Sequence, residues 1–95
     1  MSKDNSKLIL QVHDFGNVSS NFYMPNYFIE FSGVVNPTKA TPSCGQCVSI
    51  NQYDRRGLYV AIMFSGAPNT VFEKAVTITW DDGSFSVVQL KANLT

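Results

Sequence analysis

The sequence predicts an all-β domain, a compact antiparallel β-sandwich of about six strands. Short apolar runs recur along the chain, and segments rich in Gly, Pro, Asn and Ser separate them. The runs are spaced close to the 8–12 residues that are typical of sandwiches and small barrels. A small, partly open β-barrel is therefore the second architecture that fits this pattern.

The length and composition indicate one domain with an association-prone surface. The chain has 95 residues, which is enough for a single core. We expect a flexible N-terminal tail over residues 1–6 and a single all-β domain over residues 7–95. Charged residues make up 15% of the chain, against about 25% in typical domains. A surface so poor in charge favours contact with another protein or a homo-oligomer.

The charge balance and the apolar runs argue against nucleic acid and a membrane as partners. Seven basic residues balance seven acidic ones, so nucleic-acid binding is disfavoured. The polar N-terminus lacks the apolar stretch of a signal peptide. No run approaches the roughly 18 apolar residues of a membrane helix. We therefore expect a cytoplasmic protein that does not enter a membrane.

The strongest strand signal is a C-terminal hairpin over residues 75–90. Asp82-Gly83 is a preferred two-residue turn, because a type I′ turn needs positive φ at both central positions. This turn would set Trp80 opposite Phe85 and sort apolar side chains onto one face. We interpret Trp80 as a core anchor.

The other strands are predicted over residues 7–13, 27–35, 46–51 and 58–64. In the first, Leu8, Leu10 and Val12 share the inward face, and His13 lies on the other. The second strand is expected to bend at Gly33, before Val34-Val35. The fourth, 58–64, is apolar throughout, which is typical of a central strand. Residues 71–74 either extend the strand of the hairpin or form a half turn.

The connections are predicted at residues 14–26, 36–45 and 52–57. Pro37, Pro42 and Gly45 indicate an irregular loop over 36–45, because proline interrupts regular structure. Any function is expected in the loops at 14–26, 36–47 and 52–57, because loops carry binding residues more often than strands do.

The turn at 52–57 is the first candidate interaction surface, formed by Tyr53, Asp54, Arg55 and Arg56. An arginine fork binds a carboxylate or phosphate through two hydrogen bonds, and Arg and Tyr are enriched at interface hot spots. The alternative is a solvated turn that Asp54 begins and Gly57 ends.

A second candidate surface is the apolar segment Phe22, Tyr23 and Met24. It is either an exposed recognition patch or a small cluster that folds under its loop. A further hypothesis is that the exposed tyrosines stack on sugars. That hypothesis concerns Tyr23, Tyr27, Tyr53 and Tyr59.

The C-x2-C pair, Cys44 and Cys47, is the one motif with metal-ligand spacing. Two thiolates are half of a structural zinc site, and His13 would make only a third ligand unless a homodimer supplied four thiolates. A redox pair or a disulfide is also possible for this spacing. We favour two free thiols at the start of a strand, with no cofactor.

These observations predict a small non-enzymatic protein-binding module that acts as an inhibitor, adaptor or assembly subunit. The alternative is a zinc-dependent domain that uses Cys44 and Cys47. An enzyme is the least favoured class, because no catalytic constellation is recognisable. In that case His13 would be the residue to test. Asp81-Asp82 belongs to a turn, because two carboxylates there do not complete a calcium shell.

Overall fold

The computed structural model describes residues 2–33 and 35–95, and seven strands form its framework. A short 3-10 helix, Asn5–Lys7, precedes the first strand. The strands are β1 (Val12–Val18), β2 (Phe22–Glu30), β3 (Pro37–Pro42), β4 (Val48–Tyr53), β5 (Gly57–Phe64), β6 (Val71–Trp80) and β7 (Phe85–Leu94).

The strands form two sheets that pack face to face, which confirms the predicted β-sandwich. One sheet has the order β1-β7-β6-β3 and the other the order β2-β5-β4. Two separate sheets replace the single curved sheet of the barrel alternative. The strand pairs are antiparallel, as predicted, except that β1 pairs with β7 in parallel.

The core lies between the sheets and follows a strict alternation in β6 and β7. Even-numbered residues of both strands point inward, apart from the partly exposed Lys74. Trp80 is only 2% exposed and meets Phe31 of the opposite sheet edge to face, with ring centroids 4.9 Å apart. The interpretation of Trp80 as a core anchor is therefore confirmed.

The prediction of a loop over residues 36–45 is wrong, because β3 occupies most of it. This strand pairs antiparallel with β6 at the sheet edge. Its prolines, Pro37 and Pro42, are its first and last residues. Proline is tolerated at such positions because it has no backbone N–H, and the end of an edge strand does not need that donor for the sheet. The two prolines therefore mark the ends of an edge strand and not an irregular loop.

The prediction of a first strand over residues 7–13 is also wrong. Leu8 forms an isolated bridge with Phe31 beside β2, whereas Val12 begins β1 in the other sheet. Between them the chain changes sheets, and Leu10 is left 52% exposed. The crossing reverses the alternation, so that His13 is buried and Val12 is not. The predicted connection over 14–26 contains the rest of β1 and the start of β2.

The β6–β7 hairpin has a three-residue turn, not the predicted two-residue turn. The Trp80 N–H donates to the Ser84 carbonyl (2.9 Å), and the Gly83 N–H donates to the Trp80 carbonyl (3.1 Å). Gly83 has φ +86°, as the left-handed residue of such turns requires. Ser86 consequently faces the core, where its hydroxyl accepts a hydrogen bond from Trp80 Nε1 (2.8 Å). The sequence prediction chose the register that places apolar residues on one face. It missed the observed register because the buried indole N–H needs a polar partner, which Ser86 provides.

Three connections meet at one end of the sandwich. The Asp81 N–H donates to the Asn36 carbonyl (2.9 Å), and the Phe31 N–H donates to the Arg56 carbonyl (2.9 Å). The β2–β3, β4–β5 and β6–β7 connections are therefore neighbours. Gly33 in the first of them has φ +74°, consistent with the predicted bend, whereas Val34 lies outside the described residues.

Strands β2, β5 and β4 form one sheet and β3, β6 and β7 the other, an order that also occurs in immunoglobulin-type sandwiches, whereas β1 lies beside β7 and not beside β2. This connectivity carries no function by itself, because one fold hosts many activities. Within the described residues, no helix has the length and apolar character needed to cross a membrane.

Candidate functional site

An open depression of about 960 Å³ lies beside the β4–β5 turn, at the end of the sandwich where the three connections meet. Strands β2 and β5 contribute its floor, and the turn contributes its charged rim. It is lined by Phe28, Glu30, Phe31, Gly33, Asp54, Arg55, Arg56 and Tyr59, and we call it the tip groove.

The floor of the tip groove is aromatic. Phe28 on β2 lies directly opposite Tyr59 on β5, and their ring centroids are 4.8 Å apart. Phe28 remains 39% exposed, so the pair offers an apolar surface to solvent. Gly57 makes room for this arrangement, because a Cβ there would lie 2.4 Å from Phe28 Cε1. A larger residue at position 57 would displace the ring.

The rim of the tip groove is held by backbone hydrogen bonds. The Asp54 carboxylate accepts from the N–H groups of Arg56 (2.7 Å) and Gly57 (3.3 Å). The Asp54 N–H in turn donates to the Gly57 carbonyl (3.0 Å). These bonds confirm that Asp54 begins the turn and Gly57 ends it. They also fix the backbone from which Arg55 and Arg56 project.

Both arginine side chains on the rim are exposed, and neither is paired with another residue that the structure describes. In the part of the chain that the structure describes, the ion pairs within 4.0 Å involve only Lys7. No hydrogen bond connects either guanidinium to another described residue. Two donor forks therefore face solvent above an aromatic floor, with the Glu30 carboxylate also lining the groove.

Tyr53 does not join this group, although it is adjacent to Asp54 in sequence. It pairs with Leu58, which is fully buried, and cross-strand partners share a face of the sheet. Its hydroxyl donates to the Thr38 carbonyl on β3 (3.0 Å). Tyr53 therefore ties the edges of the two sheets together.

The segment Phe22, Tyr23 and Met24 begins β2 and lies far from the tip groove. Phe22 is 48% exposed and Tyr23 is 52% exposed, as a recognition patch requires, whereas Met24 packs against the core. Phe22 and Phe28 are six residues apart on one strand, a distance of about 20 Å. The two predicted interaction surfaces are therefore at opposite ends of β2.

The buried His13 forms a hydrogen-bonded pair with the partly buried Tyr27. Its Nε2 lies 3.2 Å from the Leu10 carbonyl and its Nδ1 lies 2.6 Å from the Tyr27 hydroxyl. Because a carbonyl only accepts, Nε2 carries the proton and Nδ1 accepts from the hydroxyl. Burial lowers the pKa of His13 and raises the pKa of Tyr27. Both nitrogens of the imidazole are thus engaged in hydrogen bonds within the protein.

The tyrosines do not form one stacking surface. Tyr27 is bonded to His13 and Tyr53 is bonded to Thr38, whereas Tyr59 lies in the tip groove. Tyr23 lies at the other end of β2. A sugar would therefore meet these tyrosines at separate places and not on one shared platform.

The expectation of two free thiols is wrong, because a disulfide joins Cys44 to Cys47. Their Cα atoms are 5.3 Å apart, which lies in the usual range for disulfides. In this state neither sulfur is a thiolate that binds zinc. Among the described residues, no three His, Cys, Asp or Glu side chains are grouped as a metal site would need.

A salt bridge beside the hairpin turn was not predicted from the sequence. Lys7 Nζ donates to Asp82 Oδ2 (2.5 Å) and to Ser84 Oγ (2.7 Å). The hydrogen bond from Lys7, with those from Ser84, holds the pKa of Asp82 well below its usual range. Lys7 Nζ also lies 5.7 Å from the Trp80 ring centroid. Lys7 and Asp82 are 75 positions apart in the sequence, so no local pattern reveals their contact.

Phe28 and Glu30 are residues of the tip groove that sequence reasoning did not single out, and Tyr59 was named only in the sugar hypothesis. Phe28 and Glu30 lie in a predicted strand, whereas function was expected in the loops. The sequence signal for this aromatic floor was Gly57, which begins β5 and lies across from β2, the strand that carries Phe28. A glycine at such a position often marks close approach of another group.

No protein-family model, curated protein sequence or solved structure matches this chain. A function must therefore be argued from the residues of the tip groove.

Proposed function

We propose that this domain is a small non-enzymatic protein-binding module that acts as an inhibitor, adaptor or assembly subunit and binds its partner at the tip groove. The observation that carries the proposal is the pair of exposed guanidiniums, Arg55 and Arg56, on a turn that Asp54 holds in place. A preorganised turn favours binding because less conformational entropy is lost on association.

The chemistry of the groove favours a partner segment with a carboxylate next to an apolar or aromatic side chain. A guanidinium binds a carboxylate through two parallel hydrogen bonds. The exposed Phe28–Tyr59 pair would cover the apolar group, because aromatic contacts contribute both buried area and specific geometry. Glu30 and Asp54 would repel a second acidic group and so select for the position of the first.

A stable interface is larger than this groove. Protein interfaces typically bury about 800 Å² on each partner. The partner would therefore extend from the groove onto neighbouring surface, with Phe22 and Tyr23 as a second contact for a partner that follows β2. In this proposal Met24 supports the surface from within, and Tyr53, which is 39% exposed, is held at the sheet edge by its hydrogen bond to Thr38. The zinc-dependent alternative is not favoured because the disulfide occupies both sulfurs.

The experiment compares two variants in which the same amount of charge is removed. R55A/R56A removes two cations from the tip groove, and K39A/K91A removes two cations from the other sheet. Each variant is used to capture partners from the native host, and the captured protein is then titrated against purified chains.

Wild type and K39A/K91A are expected to bind the partner equally. R55A/R56A is expected to bind at least about tenfold more weakly, because each lost charged hydrogen bond contributes about 1.5–3 kcal/mol. The unfolding free energy of R55A/R56A should stay within about 0.5 kcal/mol of wild type, as for most surface substitutions. A double variant that binds normally would remove the tip groove from consideration.

The compartment and the oligomeric state belong to the same proposal. We place the protein in the cytoplasm, where a disulfide is usually transient or regulated. A homo-oligomer is favoured by the low charge content, and a solution mass measurement at several concentrations tests it. A thiol assay on protein that is alkylated before lysis tests the compartment.

A further inference from the structure

We propose that Cys44 and Cys47 form a reversible redox site that is reduced by dithiols through thiol–disulfide exchange. The disulfide lies in the connection between β3 and β4, where the chain passes from one sheet to the other. Neither sulfur belongs to the tip groove, so this site is independent of the proposed partner surface.

The turn that carries the disulfide is held by other bonds. The N–H groups of Cys47 and Val48 both donate to the Cys44 carbonyl, at 3.1 and 3.0 Å. On either side, the Ser43 N–H donates to a carbonyl of β6 (2.8 Å), and the Met63 N–H donates to the Cys47 carbonyl (2.7 Å). Because these bonds need no S–S bond, reduction leaves the turn in place.

The two sulfurs differ in their surroundings. Both cysteines are partly buried, and of the two only Cys47 packs against the hydrophobic core. The Ser65 hydroxyl donates to Cys47 Sγ at 3.9 Å. A donor beside a sulfur favours its thiolate form. The structure therefore assigns Cys44 as the sulfur that is attacked and Cys47 as the leaving thiolate.

The reaction proceeds in two exchange steps. One thiolate of the dithiol attacks Cys44 Sγ, the S–S bond breaks, and its electron pair leaves with Cys47 Sγ, which then takes a proton from water. The second thiolate of the dithiol attacks its own sulfur in the mixed disulfide and releases Cys44 as a thiolate, which is protonated in turn. Two electrons and two protons pass to the protein, and the dithiol becomes a disulfide.

The first test equilibrates the full chain with dithiothreitol at graded ratios of reduced to oxidised reagent. Free thiols are trapped by alkylation and counted by mass, and circular dichroism reports the fold. Two thiols are expected to form together, with an unchanged spectrum, and to disappear when the ratio is reversed. Reduction that occurs only when the domain unfolds would overturn the proposal.

The second test measures the assigned roles of the two sulfurs. Cys44 in C47S is expected to react with an aromatic disulfide reagent about tenfold faster than Cys47 in C44S, because access limits exchange. In reduced wild type, partial alkylation mapped by mass gives the same comparison without a substitution. Equal rates in both measurements would contradict the assignment.

Ser65→Ala tests the hydrogen bond to the leaving sulfur. Loss of this hydrogen bond makes Cys47 a poorer leaving group, because exchange slows as the leaving thiol becomes less acidic. S65A is therefore expected to be reduced more slowly than wild type, whereas Ser49→Ala, an exposed serine on β4, is expected to match wild type. An S65A rate equal to wild type would contradict the role of Ser65.

Discussion

The indole of Trp80 and the hydroxyl of Ser86 make one buried polar contact in the core. Trp80 Nε1 donates to Ser86 Oγ, and that hydroxyl donates to the Asp4 carbonyl. Ser86→Ala should therefore lower the unfolding free energy by about 1–3 kcal/mol, because the indole N–H is left buried without an acceptor. Urea unfolding measures the change, and Ser49→Ala serves as the exposed control. A loss below about 0.5 kcal/mol in S86A would show that the contact does not contribute.

His13 makes the stability of the domain depend on pH. Its folded pKa lies below its ordinary value because it is buried. The unfolded chain therefore takes up the proton first, so stability is lost as the pH falls below about 6.5 towards the folded pKa. We expect the unfolding free energy to fall between pH 7 and pH 5. In His13→Gln this fall should disappear, and a fall of equal size in the variant would assign it to another group.

A second acid-sensitive group titrates in a separate range. Asp82 has a lowered pKa because Lys7 donates to it, so its contribution is present above the unfolded pKa of about 4 and is lost below it. The two groups are distinguishable because the His13 effect precedes the Asp82 effect on acidification.

At the scale of the element, the β2–β5 pair depends on a glycine. A Cβ at position 57 would lie 2.4 Å from Phe28 Cε1 and 2.6 Å from the Ile29 carbonyl oxygen. Gly57→Ala is therefore expected to destabilise the domain by about 1–3 kcal/mol, as overpacking does. The same change should weaken partner binding because Phe28 leaves the floor of the tip groove.

A control separates the two effects of Gly57→Ala. Phe28→Ala keeps Gly57 and removes the ring, so it should weaken binding with a smaller loss of stability, since the ring is 39% exposed. Thermal unfolding and the partner titration are measured on both variants. Wild-type binding by both would show that the aromatic floor is not part of the interface.

At the scale of the whole molecule, the N-terminal segment completes the four-stranded sheet. The Asp4 N–H donates to the Phe85 carbonyl (2.7 Å), and the Phe85 N–H donates to the Ser2 carbonyl (3.1 Å). Asn5 Oδ1 accepts from the Val87 N–H (2.9 Å). Residues 2–5 therefore pair with the first part of β7, and β1 pairs with the rest of it from Val12 onward. The polarity of residues 1–6 predicts a flexible tail instead.

Removing residues 2–6 tests the flexible-tail prediction against this arrangement. The truncated chain should lose at least about 1 kcal/mol of unfolding free energy, because several hydrogen bonds to β7 are removed. In the full chain, the amide proton of Val87 should exchange slowly with solvent and become fast after truncation. An unchanged stability together with fast exchange in the full chain would support a flexible tail.

Local patterns in the chain were sufficient for the sandwich class, the apolar strand β5 and the turn at Asp54. Each depends on neighbours within about ten residues, where alternation and turn chemistry act directly. The arginines of the rim were identified for the same reason, since Asp54 and Gly57 mark a turn that must be exposed.

Only the tertiary structure decided which residues meet across the sheets. It placed Phe28 and Tyr59 beside the arginines, turned Tyr53 away from them, and set the N-terminal segment against β7. It also made β3 a strand despite its prolines, because the demand for hydrogen bonds is lower at a sheet edge. These outcomes depend on contacts between distant positions, such as Lys7 with Asp82, and such pairings leave no periodic signal in a single sequence.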